Sequence, residues 1–215
     1  LILRVPGMTD GAEDRQTCTS LVDLGPTLLE LADLAPLEEA HGKSLVPVLT
    51  GEKGEVHDSV YLEMGFTRGV IKDGWKYIAG RYPEQIENMP LEQRKKNLER
   101  MNSNLRKRGI PLYNTDPTKP FGHCTLTPGG THAAQGAVKN YPNYFDRDQL
   151  YYLPKDPNER TNLVSRAKTR KNLIAMKQLL AAPVADKPAG FAEFTDTHAD
   201  LSAPPASTNA PGTKS

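Results

Sequence analysis

The chain has 215 residues, which is enough for one or two domains with a real hydrophobic core. Its net charge of +1 argues against a bulk nucleic-acid binder, and no apolar run approaches the roughly 20 residues that a membrane span needs. Hydrophobic residues make up 37% and the mean hydropathy is −0.56, so part of the chain is expected to lie outside any packed core. Cys18 and Cys124 are too few for a disulfide framework, and two free thiols are favoured over a bridge.

The chain begins with a short apolar run, Leu1–Val5, which Pro6 and Gly7 stop. Branched apolar residues over this length predict a buried strand that ends in a turn. Because a buried strand needs neighbours on both sides, the run is expected to belong to a larger sheet, and the chain to be a fragment.

A helix is predicted over Asp23–Ala35, after an extended stretch at 17–22. Asp23 offers a capping carboxylate, Pro26 fits the first turn and Pro36 ends the helix. Spacings of four, three and three residues predict one apolar face along it, formed by Leu24, Leu28, Leu31 and Leu34. Asp23 can also be read as a catalytic acid, but the capping role accounts for its position.

Three strands are predicted next, after an apolar turn at 45–49 and a polar loop. Ser59–Glu63 alternates as a strand does, and Arg68–Lys72 and Trp75–Ile78 form a hairpin across Asp73–Gly74. Asp-Gly between two apolar runs is among the strongest short hairpin signals, because both turn positions need a positive φ.

The stretch from Arg81 to Arg147 is predicted to be an insertion with two parts. Pro90–Arg108 has a helical pattern, with a narrow apolar stripe formed by Leu91, Leu98, Met101 and Leu105. The second part, 109–144, is rich in Pro, Gly, Thr and Asn, and is predicted to be a long loop, ordered where it covers something.

The last predicted elements are a strand at Asp148–Leu153 and a helix at Thr169–Ala182, stopped by Pro183. Four residues of this helix are predicted to face inward: Leu173, Met176, Leu179 and Leu180. The remainder, 183–215, is low in apolar residues and rich in Pro, Ala, Ser and Thr, so it is predicted to be a disordered tail.

Two sets of polar residues are candidate binding sites. Within the inserted helix, Arg94, Lys95, Lys96 and Arg100 could form a basic rim that binds an anionic substrate, although a solvated face is the simpler interpretation. No aromatic stacking pattern supports nucleic-acid binding there. His123 and His132 bracket Cys124, but the spacing fits no known zinc pattern. His41 is expected in a turn, His57 in a polar loop and His198 in the tail.

Several phrases of the sequence, taken together, resemble the C-terminal part of the type I sulfatases of the alkaline-phosphatase superfamily. The first is Thr-Ser-Leu-Val-Asp-Leu-Gly-Pro-Thr from Thr19, followed by His-Gly-Lys-Ser-Leu from His41, where the family usually shows Asp-Gly-x-Ser-Leu. The others are the hairpin phrase and Asp-Pro-Asn-Glu-Arg-Thr-Asn-Leu from Asp156. The resemblance covers 1–80 and 148–182.

The resemblance implies a chemistry whose residues are expected to lie outside this chain. A type I sulfatase uses a formylglycine made from Cys or Ser in a Cys/Ser-x-Pro-x-Arg motif, and a divalent cation, usually calcium. Neither Cys18 nor Cys124 stands in such a motif, and Ser202 lacks the following Arg. We therefore assign no catalytic or metal-binding residue to this chain, and expect the isolated chain to be inactive.

The expected fold is an α/β fragment followed by an α+β unit. Residues 1–58 would be the last strand–helix unit of an alkaline-phosphatase-like sheet. Residues 59–182 would form a small four-stranded antiparallel sheet with a C-terminal helix and the insertion at 81–147, and 183–215 the tail.

The resemblance implies a sulfuric ester hydrolase acting on a sulfated carbohydrate or small molecule, with calcium and formylglycine held by a missing N-terminal catalytic half. It implies a secreted, periplasmic or lysosomal location. The alternatives are a phosphodiesterase or phosphonate-ester hydrolase of the same superfamily, or a non-catalytic binding fragment.

Overall fold

Two compact units make up the chain in the computed structural model: residues 1–60 with 71–73, and residues 61–70 with 74 onward. The structure describes residues 1–9, 13, 17–82, 84–119, 122 and 138–185. None of the helices in this part is long and apolar enough to cross a membrane. The tail predicted at 183–215 lies outside the described residues from 186 onward.

The first unit contains two short helices, α1 (Leu24–Leu31) and α2 (Val46–Leu49). A single 3₁₀ turn, Leu21–Asp23, leads into α1. The helix ends four residues before the predicted Ala35, because Asp33 adopts a positive φ of 55° and Leu34 N–H returns to Leu29 O at 2.9 Å.

One sequence prediction for this unit is wrong. Leu1–Val5 is not a strand, and Ile2 is 98% exposed. A strand exists only through hydrogen bonds to a neighbouring strand, and none of the described residues provides one here. Leu28, Leu31 and Leu34 of the predicted apolar face are exposed, and the buried residue of α1 is Thr27.

The second unit is organised by a four-stranded sheet in the order β1-β2-β3-β4. Its strands are β1 (Val60–Met64), β2 (Thr67–Lys72), β3 (Trp75–Gly80) and β4 (Asp148–Tyr152). The β2–β3 turn is Asp73–Gly74, and both residues have positive φ, 50° and 75°. The four-stranded antiparallel sheet and its hairpin turn are thereby confirmed.

The C-terminal helix α5 (Arg170–Ala185) packs on β3 and closes the core of the sheet. The buried core residues are Val70, Tyr77, Ala79 and Leu150 of the sheet, and Met176 and Leu180 of the helix. Leu173 and Leu179 pack against them as predicted. The prediction that Pro183 ends the helix is wrong, since the helix continues to Ala185. A proline in the last turn removes only one backbone hydrogen bond.

Between β3 and β4 the chain forms α3 (Glu84–Glu87) and α4 (Leu91–Lys107). The predicted inserted helix is thus confirmed, but only part of its predicted apolar stripe is buried. Leu98 and Leu105 are buried, Leu91 is 43% exposed, and Asn102 is buried instead. The Asn102 amide donates to Asn114 O at 2.9 Å, and the Asn114 amide to Gly122 O at 2.6 Å. These amides anchor the helix to part of the predicted loop at 109–144, much of which lies outside the described residues.

Candidate functional site

The buried carboxylate of Asp23 is the centre of the first polar cluster. It accepts hydrogen bonds from the backbone N–H of Ser20 at 2.7 Å and of Lys43 at 2.9 Å, and its Oδ1 lies 2.8 Å from Nε2 of His57. An ionised carboxylate can only accept, so Nε2 of His57 carries the proton. We call this set, with Thr27, the Asp23 clasp.

Thr27 supplies the second half of the Asp23 clasp. Its hydroxyl donates to Asp23 O at 2.6 Å and accepts the backbone N–H of Leu45 at 2.9 Å. Thr27 lies in α1, whereas Leu45 immediately precedes α2. The side chains of Asp23 and Thr27 therefore fasten the start of α1 to the loop that leads into α2, through the N–H groups of Lys43 and Leu45.

Gly42 allows this loop to approach the α1 segment. A Cβ atom at this position would lie 2.1 Å from the carbonyl oxygen of Val22, far inside van der Waals contact. Only glycine permits the backbones to come so close. The Gly in the His-Gly-Lys-Ser-Leu phrase therefore has a steric explanation.

Asp23 keeps a capping role, but one turn earlier than predicted, and it is not a poised acid. Its side chain makes no capping bond to α1; instead it accepts the Ser20 N–H in a capping box at the start of the 3₁₀ turn, and it also reaches Lys43 and His57. Burial is the largest influence and raises the pKa of Asp23, but the N–H donors of Lys43 and Ser20 and the His57 ring outweigh it. The net pKa lies below the usual value, so Asp23 is ionised at neutral pH and serves as an acceptor.

A second cluster, the Asn162 clasp, lies beside β4. Asn162 Oδ1 accepts the backbone N–H of Leu150 at 3.0 Å and of Val164 at 3.1 Å. Its Nδ2 donates to Asp148 O at 2.9 Å and to a carboxylate oxygen of Asp146 at 3.2 Å. One amide thus continues the hydrogen bonding of β4 on its free side and holds the following segment in place.

Asp156 closes the turn that precedes Asn162. Its carboxylate oxygens accept the backbone N–H groups of Arg160 at 2.9 Å and Thr161 at 2.8 Å. A side chain that accepts from the backbone four and five residues later closes a tight loop. The Asp-Pro-Asn-Glu-Arg-Thr-Asn-Leu phrase therefore forms a turn that places Asn162 beside β4.

A third cluster joins the two ends of the insertion. Arg81 is 2% exposed; its guanidinium lies 3.0 Å from Asp148 Oδ1 and donates to Arg147 O at 3.2 Å. Tyr77 donates to the same Asp148 oxygen at 2.5 Å, and Gly80 N–H donates to Arg147 O at 2.8 Å. We call this set the neck of the insertion.

The charges in the neck favour ionised Asp148. Burial is the largest influence and raises its pKa, but Arg81, Lys177 and the Tyr77 hydroxyl outweigh it, so the pKa of Asp148 lies below the usual value. The carboxylate is committed to Arg81 and Tyr77, which gives it a structural role.

The four residues predicted to bind substrate have different surroundings on α4. The Arg94 guanidinium donates to Met89 O at 2.8 Å and to Glu87 O at 2.6 Å, so it terminates α3. Lys95 pairs with Glu92 at 2.7 Å. Lys96 and Arg100 are exposed.

The remaining candidate ligands give no metal site in the described part of the chain. No group of three His, Cys, Asp or Glu side chains there could hold a metal ion. His41 is exposed. Burial and nearby carboxylates, Glu55 first among them, raise the pKa of the free thiol of Cys18. The trio of His123, Cys124 and His132 lies outside the described residues, as do Ser202 and His198.

Sequence reasoning missed His57 as a partner of Asp23, to which it gave only a local capping role. His57 is 34 residues from Asp23, and no periodicity connects them. The spacing of four between Asp23 and Thr27 could have indicated the bond from the Thr27 hydroxyl to the Asp23 carbonyl, but nothing in the sequence indicated His57.

Comparison with known proteins gives sulfatases as structural neighbours. No protein-family model and no curated protein matches the chain. Among solved structures, it is similar to a proposed sulfatase from Bacteroides thetaiotaomicron VPI-5482 and to a 2-O GAG sulfatase, each at 23% identity over 76% of this chain, with a TM-score of 0.41. A protein solved with its substrate D-glucosamine-2-N,6-O-disulfate matches at 17% identity with the same TM-score and coverage. The chain spans about a quarter of the length of each.

Proposed function

We propose that this chain is the C-terminal portion of a sulfatase that hydrolyses the sulfate esters of a sulfated carbohydrate. The observation that carries the proposal is that the sequence phrases resembling the family form hydrogen-bonded units. The phrase around Asp23 and the phrase around Gly42 bind each other through the Asp23 clasp. The phrase from Asp156 binds β4 through Asn162.

The residues of these phrases have structural roles that depend on their identity. In the first pair of phrases, Asp23 and Thr27 bind the backbone on either side of Ser44, and Gly42 has room for nothing larger. These contacts support the assignment of residues 1–58 to the end of the catalytic domain, and the contacts of Asn162 support the C-terminal subdomain at 59–182.

The chemistry would then be supplied from outside this chain. A sulfatase needs a formylglycine nucleophile and a calcium ion on oxygen ligands, which polarises the sulfate when bound. The described residues do not fit a calcium site, because no cluster of three suitable ligands is present among them. In the proposal, residues 1–185 form a scaffold against which a catalytic part of the protein folds.

The test begins with the coding sequence upstream of Leu1. The proposal expects a Cys/Ser-x-Pro-x-Arg motif there, and a protein extended to include it should hydrolyse an aryl sulfate with added calcium. The matched control replaces the Cys or Ser of that motif with Ala and should have no activity. The 215-residue chain alone should turn over neither an aryl sulfate nor an aryl phosphate.

Two results would contradict the proposal. Hydrolysis of an aryl phosphate in preference to the sulfate by the extended protein would favour a phosphodiesterase or phosphonate-ester hydrolase. A start codon beside Leu1, with no upstream coding sequence, would favour a non-catalytic binding protein.

A further inference from the structure

The outer surface of α4 has a row of cations that the structure leaves without acidic partners. At 3.6 residues per turn, Lys96, Arg100 and Lys107 lie within about 40° of one another around the helix axis, opposite the buried Leu98 and Leu105. All three side chains are exposed. We call Lys96, Arg100 and Lys107 the outer cation row.

The acids of the helix are engaged elsewhere. Glu92 pairs with Lys95, and Glu99 pairs with both guanidinium nitrogens of Arg106. Among the described residues, no side chain forms an ion pair or hydrogen bond with a member of the outer cation row. One side of the helix therefore carries the two ion pairs, whereas the outer cation row has no paired acid.

Opposite charges four residues apart stabilise a helix, but Glu92, which stands at that spacing before Lys96, pairs with Lys95 instead. Lys96 and Arg100 are like charges at the same spacing and repel each other. Only Lys107, in the last turn, gains from the helix dipole. A ligand with several negative charges would relieve the repulsion along the row.

The spacing determines the shape of that ligand. At about 1.5 Å of rise per residue, the row extends over about 17 Å, with gaps of about 6 Å and about 10 Å between successive cations. A single sulfated sugar cannot reach all three, whereas an extended chain that carries a sulfate on successive sugars can. Base-stacking partners of nucleic acid are missing, since α4 contains no aromatic residue.

We propose that the outer cation row binds a linear sulfated polysaccharide lying along α4, and so gives the protein a preference for polymeric substrate over single sulfated sugars. The choice of a sulfated chain rests on the proposed function. The proposal revises the rim predicted from the sequence: Arg94 and Lys95 are removed because they have protein partners, and Lys107 is added.

The test measures binding of a fluorescent heparin octasaccharide to the 215-residue chain by anisotropy, with its fully desulfated counterpart and polyuridylate as comparison probes. The row variant is Lys96→Gln, Arg100→Gln and Lys107→Gln. The matched control is Lys95→Gln, Arg106→Gln and Arg108→Gln, which removes the same net charge from α4 and the residue that follows it. Circular dichroism checks that both variants keep their helices.

The row variant should bind the octasaccharide at least about tenfold more weakly at low salt, whereas the control should lose no more than about threefold. The slope of log Kd against log salt should fall by about two in the row variant, because fewer counterions are released. Equal losses in the two variants would overturn the proposal, and so would equal binding of the desulfated chain. Tighter binding of polyuridylate would assign the row to nucleic acid.

The result is separable from that of the proposed function. Binding by the outer cation row is measured without turnover, so it can succeed where the extended protein prefers an aryl phosphate, and the sulfatase proposal then fails alone. If the extended protein is a sulfatase but the row and control variants bind alike, only the row proposal fails.

Discussion

Replacing Asp23 with Ala should release the loop that precedes α2. The substitution removes the acceptor for three donors at once: the N–H groups of Ser20 and Lys43, and the His57 ring. The Thr27 hydroxyl would be the remaining connection, through its bond to Leu45. We expect the segment at 41–50 to open locally while the sheet of the second unit stays folded.

The magnitude follows from the number of donors. A buried donor left without its acceptor costs about 1–3 kcal/mol. These three donors are only partly buried and can reach water once the loop moves, so the lower end applies to each. The local free energy of opening should therefore fall by about 3 kcal/mol. Asp23→Asn keeps one acceptor oxygen and should lower the local free energy of opening by about half as much.

Hydrogen exchange followed by mass spectrometry measures this directly, in peptides that cover 41–50. Asp58→Ala is the matched control, because it removes a carboxylate from the same unit that forms a surface ion pair with Lys72. Asp23 would not hold this loop if Asp23→Ala left exchange at 41–50 unchanged, or if Asp58→Ala accelerated it equally. Since the pKa of Asp23 is lowered by folding, its contribution is complete above about pH 4 and is lost as pH falls through the lower folded-state value.

Further predictions concern the two glycines and the neck of the insertion. Gly42→Ala should accelerate the same exchange, at a cost of about 1–3 kcal/mol, whereas Gly25→Ala, with open space around its Cβ, should not. Gly74→Val should cost more than about 1 kcal/mol in urea unfolding, because the turn needs a positive φ and Pro154 lies 2.9 Å from the added Cβ; an unchanged midpoint would contradict the turn's role. Arg81→Met should cost about 1–3 kcal/mol, because Asp148 loses its buried guanidinium partner but is 20% exposed and keeps the Tyr77 hydroxyl; Arg81→Met combined with Asp148→Leu should recover part of that loss.

The features that the sequence predicted well are those that short-range rules determine. Asp73–Gly74 gives the hairpin because its two residues must take positive φ, and the helical period alone locates α4 and α5 to within a few residues. Leu1–Val5 failed for the opposite reason. A strand depends on a partner, and composition cannot say whether the partner is present.

The clasps were less predictable because their contacts are long-range. Asp23 was correctly singled out, and the local cap that a helix-start Asp suggests is present as the bond from Ser20, but its two other partners are 20 and 34 residues away. The four basic residues of α4 that were predicted to bind substrate illustrate a different limit. Their charge is evident from the sequence, but only the structure shows that Arg94 is used to terminate α3 while Lys96 faces outward.

The neck of the insertion has a consequence for how this protein can vary. Arg81, Asp148 and Tyr77 close the β3–β4 connection at its base, so the sheet does not depend on what lies between them for its register. The entropic cost of closing a connection rises only slowly with the length of the connection. Related chains could therefore exchange, lengthen or shorten the segment between Tyr82 and Asp146 as a cassette, and recognition could diversify while the scaffold stays the same.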